Sequence, residues 1–247
     1  MKILALEFSS SERSVAIVQG RGPRPATESD SLSVHKVVST PTGASKDTSW
    51  KVAEVVESGA LGANTIGMIE AALCQAQVER EQIERLVVGL GPGSYNGIRL
   101  AIAVAQGWQL ASGEEGIKLL GISSAECIAV QGQEEGLAGR VNVVIDAQRG
   151  EFYLAGYDLE AKAWNAVEPL RLVTLQEVQR RDSAGERFIG PDVAAQLRGG
   201  RRVFPRAATL GLLALGRNDF VAGEKLEPIY LRQTSFVKAT PPRRLIP

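Results

Sequence analysis

The 247-residue sequence is 44% hydrophobic and 23% charged, which is the composition of an ordinary globular protein with one large domain or two lobes. Its 28 basic and 28 acidic side chains cancel, and this balance argues against strong non-specific binding of nucleic acid by the chain alone. Because no window approaches about 18 apolar residues and Glu7 interrupts the first apolar run, we expect neither a membrane span nor a signal peptide, and a cytoplasmic location.

The chain opens with a predicted hairpin, in which residues 3–8 and 14–18 form strands and a run of serines forms the turn. Glu7 lies near the end of the first strand and Ser9 begins the turn, so hydroxyls and amides gather beside a carboxylate. This grouping can hold a phosphate, but an ordinary serine turn accounts for the same residues and is the preferred interpretation from residue types.

Residues 20–49 are rich in Gly, Pro, Ser and Thr, and they predict an irregular segment with one strand near residues 34–38. This segment contains His35, the single histidine of the sequence. One histidine and the distant Cys74 and Cys127 do not make the usual zinc-ligand pattern, and a Ser-His-Asp triad would have to use His35. Both cysteines lie in apolar surroundings typical of helices, so we expect buried free thiols rather than a disulfide.

A predicted strand leads into a predicted helix at residues 59–77. Gly59, Ala63, Gly67 and Ala71 recur every fourth residue and form one stripe of small side chains along this helix. An interior glycine costs about 1 kcal/mol relative to alanine, so the stripe indicates a second helix at close approach. The pattern leaves open whether that helix belongs to the same lobe or to another chain.

A glycine-rich loop joins a predicted strand at residues 86–89 to a helix that either Ser94 or Asn96 can cap. The run Gly91-Pro92-Gly93 predicts a sharp reversal of the chain. The helix is apolar nearly all round, which predicts burial on more than one side, within its own lobe or against a second chain. Arg99 in its first turn opposes the helix dipole unless an acid or a bound anion is close. The loop lacks the full P-loop and dinucleotide patterns, so anion binding and a tight turn under a packed helix both remain open.

The second half of the chain repeats the opening pattern. A predicted strand at residues 141–146 ends in Asp146, a short polar turn follows, and residues 151–157 form the returning strand. Between the two hairpins, residues 117–120 predict a strand and Ser123 is a plausible cap for the next helix. The repeat predicts two lobes of related architecture.

Shorter α/β elements complete the predicted chain, including a strand at residues 166–173, a helix capped by Thr174 and a last helix at residues 207–218. A cluster of arginines precedes the last helix, and a solvated surface is its default interpretation, with an RNA contact as the alternative. The arginines of this cluster are Arg198, Arg201, Arg202 and Arg206.

The motif Gly91-Pro92-Gly93-Ser94-Tyr95-Asn96-Gly97-Ile98-Arg99 resembles the glycine loop of the TsaB (YeaZ) family, with Asn96 where that family usually has Thr. The similarity extends over nearly the whole chain. Further matching segments are residues 3–9, 123–126, 146–153 and 228–232. The chain departs from the family at Glu7-Phe8-Ser9, where Asp-Thr-Ser is usual, at Glu57-Ser58, where a His-Ser pair is common, and in the length of residues 20–49.

The resemblance implies an α/β fold of the actin/Hsp70/sugar-kinase type, with two lobes built on mixed five-stranded sheets. We expect residues 1–112 to form the N-terminal lobe, with residues 207–247 packing back near it, and residues 113–206 to form the C-terminal lobe. The repeat of the opening hairpin in the second half agrees with this arrangement.

The resemblance further implies a protein that is not an enzyme and that binds no cofactor or metal. TsaB-like proteins form a helix-mediated dimer with TsaD, the catalytic subunit that makes N6-threonylcarbamoyladenosine in tRNA (t6A37), and the ATPase TsaE docks on that pair. Contact with tRNA would arise only through the complex, and the chain alone could form a homodimer. The partner interface under this interpretation comprises Gly59, Ala63, Gly67 and Ala71 together with Ala101 and Ala105 of the next helix.

An ATPase or phosphotransferase of the same fold is the alternative function. In this alternative, Glu7 and Asp146 lie at the ends of matching strands and hold Mg²⁺ through water. The candidates for binding a nucleotide or another anion are Glu7, Ser9, Gly91, Gly93, Ser94, Arg99 and Asp146. A protease is a third hypothesis, which lacks both histidine ligands and a triad.

Overall fold

The structure, a computed structural model, describes residues 1–20, 38–39, 50–59, 64–113, 116–161, 163–192 and 194–232. Five α-helices lie in these ranges: Thr65–Ala76 (α1), Tyr95–Ala111 (α2), Ser124–Glu134 (α3), Leu175–Ser183 (α4) and Ala207–Leu213 (α5). The strands in these ranges are Lys2–Glu7 (β1), Glu12–Gln19 (β2), Val38–Ser39 (β3), Lys51–Ser58 (β4), Arg85–Gly89 (β5), Lys118–Ile122 (β6), Gly139–Asp146 (β7), Glu151–Leu159 (β8), Ala163–Thr174 (β9), Phe188–Gly190 (β10) and Gly200–Arg202 (β11).

The strands form two mixed sheets that share one arrangement. The first sheet has the order β4-β2-β1-β5-β6, and the second has the order β9-β8-β7-β10-β11 with the short β3 added beside β9. In each sheet three successive antiparallel strands are followed by two strands that run parallel to the first of them. The predicted two-lobed α/β fold is thereby confirmed, and the second sheet carries a sixth strand of two residues.

Both faces of the first sheet are buried, because successive residues of its central strands point into different cores. In β1, Leu4 and Leu6 pack in the core that includes α1 and α2, whereas Ile3 and Ala5 pack in the core that includes α3 and α5. A strand that is buried on both faces has a nearly continuous apolar sequence, as β1 does up to Glu7. The first sheet therefore lies between two helical layers.

The last helix of each half packs on the sheet of the other half. Helix α3 follows the first sheet in sequence but contacts β7, β8 and β10, and α5 follows the second sheet but contacts β1, β2 and β5. Strand β6 follows residue 112, where we predicted the first lobe to end, but it pairs with β5 of the first sheet. We therefore propose that the boundary between the lobes follows Ile122. Residues 233–247, part of the segment predicted to pack near the first lobe, lie outside the described ranges.

Local signals predicted the helix starts better than the helix lengths. The side chains of Ser94, Ser123 and Thr174 each accept a hydrogen bond from a main-chain amide in the first turn of α2, α3 and α4, so these three caps are confirmed. Helix α1 begins at Thr65, later than predicted, and α5 ends at Leu213, earlier than predicted.

Both cysteines are free thiols, but only Cys127 is buried. The prediction of a buried thiol is wrong for Cys74, because its position on α1 is exposed rather than turned toward the sheet. His35 and Ala63 lie outside the residues that the structure describes. Among the described helices, none combines the length and the apolar character needed to cross a membrane.

An ion-pair network joins β9 to α4 on the second lobe. Arg181 lies 2.9 Å from Glu168 and 3.1 Å from Glu177, and Arg171 contacts both of the same glutamates. Hydrogen bonds from Arg181 lower the pKa of Glu168, and hydrogen bonds from Arg171 lower the pKa of Glu177 to about 2. Because the folded state holds both carboxylates ionised, the network stabilises the fold above the ordinary pKa of glutamate.

Replacing Arg181 by alanine removes one cation from this network. We expect the free energy of unfolding to fall by about 1–3 kcal/mol at neutral pH, because two partly buried carboxylates lose a charged donor. The deficit shrinks as the pH falls from 4.5 toward about 2, since both glutamates are then protonated. Urea unfolding across this pH range measures it. The exposed Arg180→Ala on the same helix is the control, with an expected change within about 0.5 kcal/mol, and equal losses in both variants would contradict the network's role.

Candidate functional site

A buried carboxylate ties together three segments behind the cleft between the lobes. The side chain of Glu7 has no solvent exposure; its Oε1 accepts from the Ser9 amide at 2.8 Å and its Oε2 accepts from the Ser124 hydroxyl at 2.9 Å. The same hydroxyl accepts from the Gly91 amide at 3.1 Å. Burial raises the pKa of the Glu7 carboxyl, and the hydrogen bonds from Ser9 and Ser124 oppose that rise. Glu7 therefore has a structural role, because its buried carboxylate joins these segments by hydrogen bonds and does not face the cleft.

The glycines of the loop allow a helix to approach β1 at very short range. A Cβ atom on Gly93 would lie 2.1 Å from the carbonyl oxygen of Ser9, and one on Gly97 would lie 2.0 Å from that of Phe8. The Ser94 amide donates to the Ser9 carbonyl oxygen at 2.7 Å, which fixes the start of α2 against the first hairpin. Of the two interpretations left open by the sequence, this geometry accounts for the glycines by close packing.

A cleft of about 980 Å³ lies between the two lobes. One wall is formed by the serine turn after β1 and by the first residues of α2, and the other by the turn between β7 and β8. Four of the predicted anion-binding candidates line it, namely Ser9, Gly93, Ser94 and Asp146. The other three do not: Glu7 and Gly91 are buried behind the wall, and Arg99 lies on the exposed side of α2 with its guanidinium 5.3 Å from the centre of the Tyr95 ring.

The acidic pair proposed for Mg²⁺ does not meet in the cleft. Glu7 is enclosed as described, and the carboxylate of Asp146 accepts hydrogen bonds from the main-chain amide of Gln148 at 2.7 Å and from its side-chain amide at 3.1 Å. Asp146 thus caps its own turn. No cluster of three potential metal ligands occurs among the residues that the structure describes.

The exposed side of α2 differs from the side predicted as an interface. Ala101 and Ala105 are completely buried in the core of their own lobe, so they are not available to a partner. Ala103 and Gly107 lie about 200° around the helix from them, since each residue turns the helix by about 100°, and both are exposed. Leu110 completes this exposed side, with 85% of its surface accessible.

The stripe predicted on α1 is only partly on the surface. Gly67 and Ala71 are half-buried, and Ile66, which lies about 100° around the helix from Gly67, is 62% exposed. Gly59 precedes the helix and lines the cleft, so it does not belong to the stripe. Helices α1 and α2 pack on the same face of the first sheet. We call the exposed residues Ile66, Ala103, Gly107 and Leu110, with the half-buried Gly67 and Ala71, the helical face.

A strap near the end of the described chain crosses from the first lobe to the second, which the sequence did not predict. The Ile229 amide donates to the Leu90 carbonyl oxygen at 2.9 Å, and the Tyr230 ring packs edge-on against Tyr95 with 5.4 Å between ring centres. Arg232 then pairs with Glu151 at 2.6 Å and donates to two carbonyl oxygens of the turn after β7. The only sequence signal for this strap was the family-like segment at residues 228–232.

The arginine cluster before α5 does not form a free basic patch. Arg201 pairs with Glu135 at 2.7 Å, and Arg206 lies 3.6 Å from Glu12. Arg202 lies 4.0 Å from Asp192. This pairing agrees with the default interpretation of a solvated, charge-balanced surface.

Comparison with known proteins gives a consistent picture. The family model described as "TsaD: tRNA N6-adenosine threonylcarbamoyltransferase" matches residues 58–227. The Escherichia coli "tRNA threonylcarbamoyladenosine biosynthesis protein TsaB" is 29% identical over 191 residues, covering 70% of this chain and 81% of that protein. The Bacillus subtilis protein of the same name is 26% identical over 131 residues, covering 51% of this chain and 54% of that one.

The chain belongs to the TsaB/YeaZ family. The fold agrees: the solved structure "YeaZ from Pseudomonas aeruginosa" superposes with a TM-score of 0.65 at 22% identity, covering 93% of this chain and 99% of that one. A second Pseudomonas aeruginosa structure, described as similar to peptidase YEAZ, superposes with a TM-score of 0.67 at 22% identity, covering 94% and 99%.

One departure from the TsaB/YeaZ pattern has a physical account. Glu7 stands where the resemblance leads us to expect the shorter Asp, and its longer side chain needs room inside the fold. Gly89 supplies that room, because a Cβ atom there would lie 2.0 Å from Oε2 of Glu7. The carboxylate of Glu7 therefore fills the space that a side chain at position 89 would need.

Two glycines of α2 provide a matched test of the close packing. At Gly97 an added methyl group would clash with the carbonyl oxygen of Phe8, the residue that follows β1. We therefore expect Gly97→Ala to lower the free energy of unfolding by about 1–3 kcal/mol. At Gly107 no atom lies within 4 Å, so Gly107→Ala should raise it by up to about 1 kcal/mol. Urea unfolding of both variants measures these changes, and effects of the same sign would contradict this geometry.

Proposed function

We propose that this chain is a non-catalytic scaffold subunit in the synthesis of threonylcarbamoyladenosine in tRNA, and that it binds a TsaD-type catalytic subunit through the helical face. A TsaE-type ATPase would then dock on the pair. The names of the TsaB relatives and the matching family model support the pathway. The observation that carries the binding mode is the set of exposed small and apolar side chains on α1 and α2, among which the charged Glu70 and Arg99 are also exposed.

The helical face has the features of a surface for close helix packing. Leu110 and Ile66 are largely exposed, although a monomer gains by burying such side chains. Gly107 lies inside a helix with open space around it, so this chain's own packing does not require a glycine there. Small residues such as Gly107 and Ala103 let the ridges of a second helix come near.

The non-catalytic role is supported by the chain's own chemistry. The sequence contains a single histidine, so it cannot supply several histidine ligands to a metal. Glu7 and Asp146 are both held by internal hydrogen bonds, as described above. We therefore assign catalysis to the partner subunit and binding to this chain.

Ala103→Glu tests the interface. A glutamate on the helical face would lose its hydration on docking and gain no opposite charge in return, so we expect the affinity for a co-expressed TsaD-type subunit to fall at least about 100-fold. The fold of the free chain should not change, because Ala103 is exposed. Size-exclusion chromatography and calorimetry of the purified pair measure the complex.

Ala195→Glu is the matched control, since it adds the same charge at an exposed alanine on the second lobe. It should bind the partner as the unaltered chain does. A folded Ala103→Glu variant that still pairs would contradict the interface. In cells depleted of the chain, the amount of threonylcarbamoyladenosine in tRNA, measured by mass spectrometry, should fall. Expression of the Ala195→Glu variant should restore it, and expression of Ala103→Glu should not. An unchanged amount on depletion would contradict the proposed pathway.

A further inference from the structure

Strand β4 lies at one edge of the first sheet, and its outer side has no partner strand among the described residues. Its inner side pairs with β2 along its whole length, from Glu12 opposite Ser58 to Gln19 opposite Lys51, without a bulge. The described part of the chain therefore presents a long and regular strand edge, whose outward N–H and C=O groups have no strand to bond. Such an edge is a template for the addition of another strand.

The corresponding strand of the second lobe has features that protect an edge. Strand β9 is the third strand of its sheet, as β4 is of the first, but it contains Pro169, which cannot donate a hydrogen bond to a neighbouring strand. Its pairing with β8 shifts register around Gly156, and the short β3 pairs with one end of it. Strand β4 contains no proline and its pairing with β2 has no register shift. The contrast favours a pairing role for the β4 edge.

The side chains of β4 indicate which partner fits this edge. Val52 and Val56 point to the same face of the sheet and are 43% and 38% exposed. Lys51 is exposed at one end of the strand and has no ion pair among the described residues, and Glu57 lies near the other end. Glu57 accepts from the neutral side-chain amide of Asn64 at 2.7 Å, which leaves its negative charge in place. A strand with opposite charges near its two ends is complementary to an antiparallel copy of itself.

Hydrogen-bond geometry limits the registers that two copies of β4 can adopt. Only every second residue of a strand points its main-chain groups outward, so residues that oppose each other across a two-fold axis are both odd or both even in number. Two such registers leave just one residue of each strand unpaired. The first places Lys51 opposite Glu57 at both ends of the contact. It also brings Val52 opposite Val56. The second places Glu57 opposite Ala53 and forms no ion pair, so the first is favoured.

We propose that β4 pairs antiparallel with β4 of a second copy of this chain, in the register that places the two-fold axis at Glu54. The first sheets of the two copies then form one continuous sheet. Because Arg13 lies opposite Glu57 on β2, each Glu57 comes between Arg13 of its own chain and Lys51 of the other. The two Glu54 side chains oppose each other at the axis, which lowers the affinity. Each of them accepts from the Ala208 amide of its own α5 at 3.0 Å.

Sedimentation equilibrium of the full chain at concentrations up to about 500 μM tests this dimer. A pair of strands buries little surface, so we expect a reversible monomer–dimer equilibrium in the micromolar range. Lys51→Glu should weaken the dimer about tenfold or more, because each ion pair becomes a repulsion. Glu54→Gln keeps an acceptor for the Ala208 amide and removes the like charges at the axis, so it should strengthen the dimer about threefold or more.

Two results would overturn the proposal. One is a chain that stays monomeric at the highest concentration. The other is a dimer that Lys51→Glu leaves unchanged, since its contact would then lie on another surface. No residue of the helical face belongs to β4, so either result leaves the scaffold proposal in place.

A mixture of two charge variants tests the register. Glu57→Lys alone places like charges opposite each other in its own dimer, as Lys51→Glu alone does. When the two variants are mixed, opposite charges face each other at both ends, so the heterodimer should form within about threefold of the affinity of the unaltered chain. Lys225→Glu, the same charge reversal at an exposed lysine outside β4, is the control and should dimerise as the unaltered chain does.

Circular dichroism establishes that each variant is folded. If both single variants fold and their mixture stays monomeric, the proposed register is refuted, and an equal loss of dimer in Lys225→Glu refutes it as well. If Glu57→Lys does not fold beside Arg13, the results for Lys51→Glu and Glu54→Gln decide.

Discussion

The hydrogen bond from Ser124 to the buried carboxylate of Glu7, and the bond from Gly91 to the same Ser124 hydroxyl, join three segments that are distant in sequence. A carboxylate is tolerated in an apolar interior only when its oxygens have donors, so the Ser9 amide and the Ser124 hydroxyl must stay in place. Ser124 in turn holds the glycine loop at Gly91, and Ser9 holds the start of α2 at Ser94. One wall of the cleft and the direction of α2 both follow from this set of bonds.

Helix α2 extends from the cleft to the helical face that we propose for partner binding. Its N-terminal end, at Ser94 and Tyr95, lines the cleft, while its outer side presents Ala103, Gly107 and Leu110. Two glycines of this helix, Gly97 and Gly107, have different surroundings. Gly97 is required by contact inside the chain, whereas at Gly107 no contact inside the chain requires a glycine.

The sequence predicted the features that depend on local chemistry and missed those that depend on distant contacts. Hydroxyl caps such as Ser94 and Thr174 were predictable, because a cap is a bond within a few residues. The buried side of α2 was not, since a helix that is apolar all round gives no contrast between Ala101 and Ala103. The role of Glu7 was also out of reach, because it depends on a hydroxyl 117 residues away.

The exchange of the last helices between the lobes bears on how the chain is made. Residues 207–213 cover one face of the sheet that begins at residue 2, so this contact joins elements that are far apart in sequence. Contacts of such long sequence separation form late. During translation the side of the first sheet that α5 covers stays open to solvent until the ribosome has added that helix. A nascent chain with this topology therefore exposes an apolar sheet face until residues 207–213 have been synthesised.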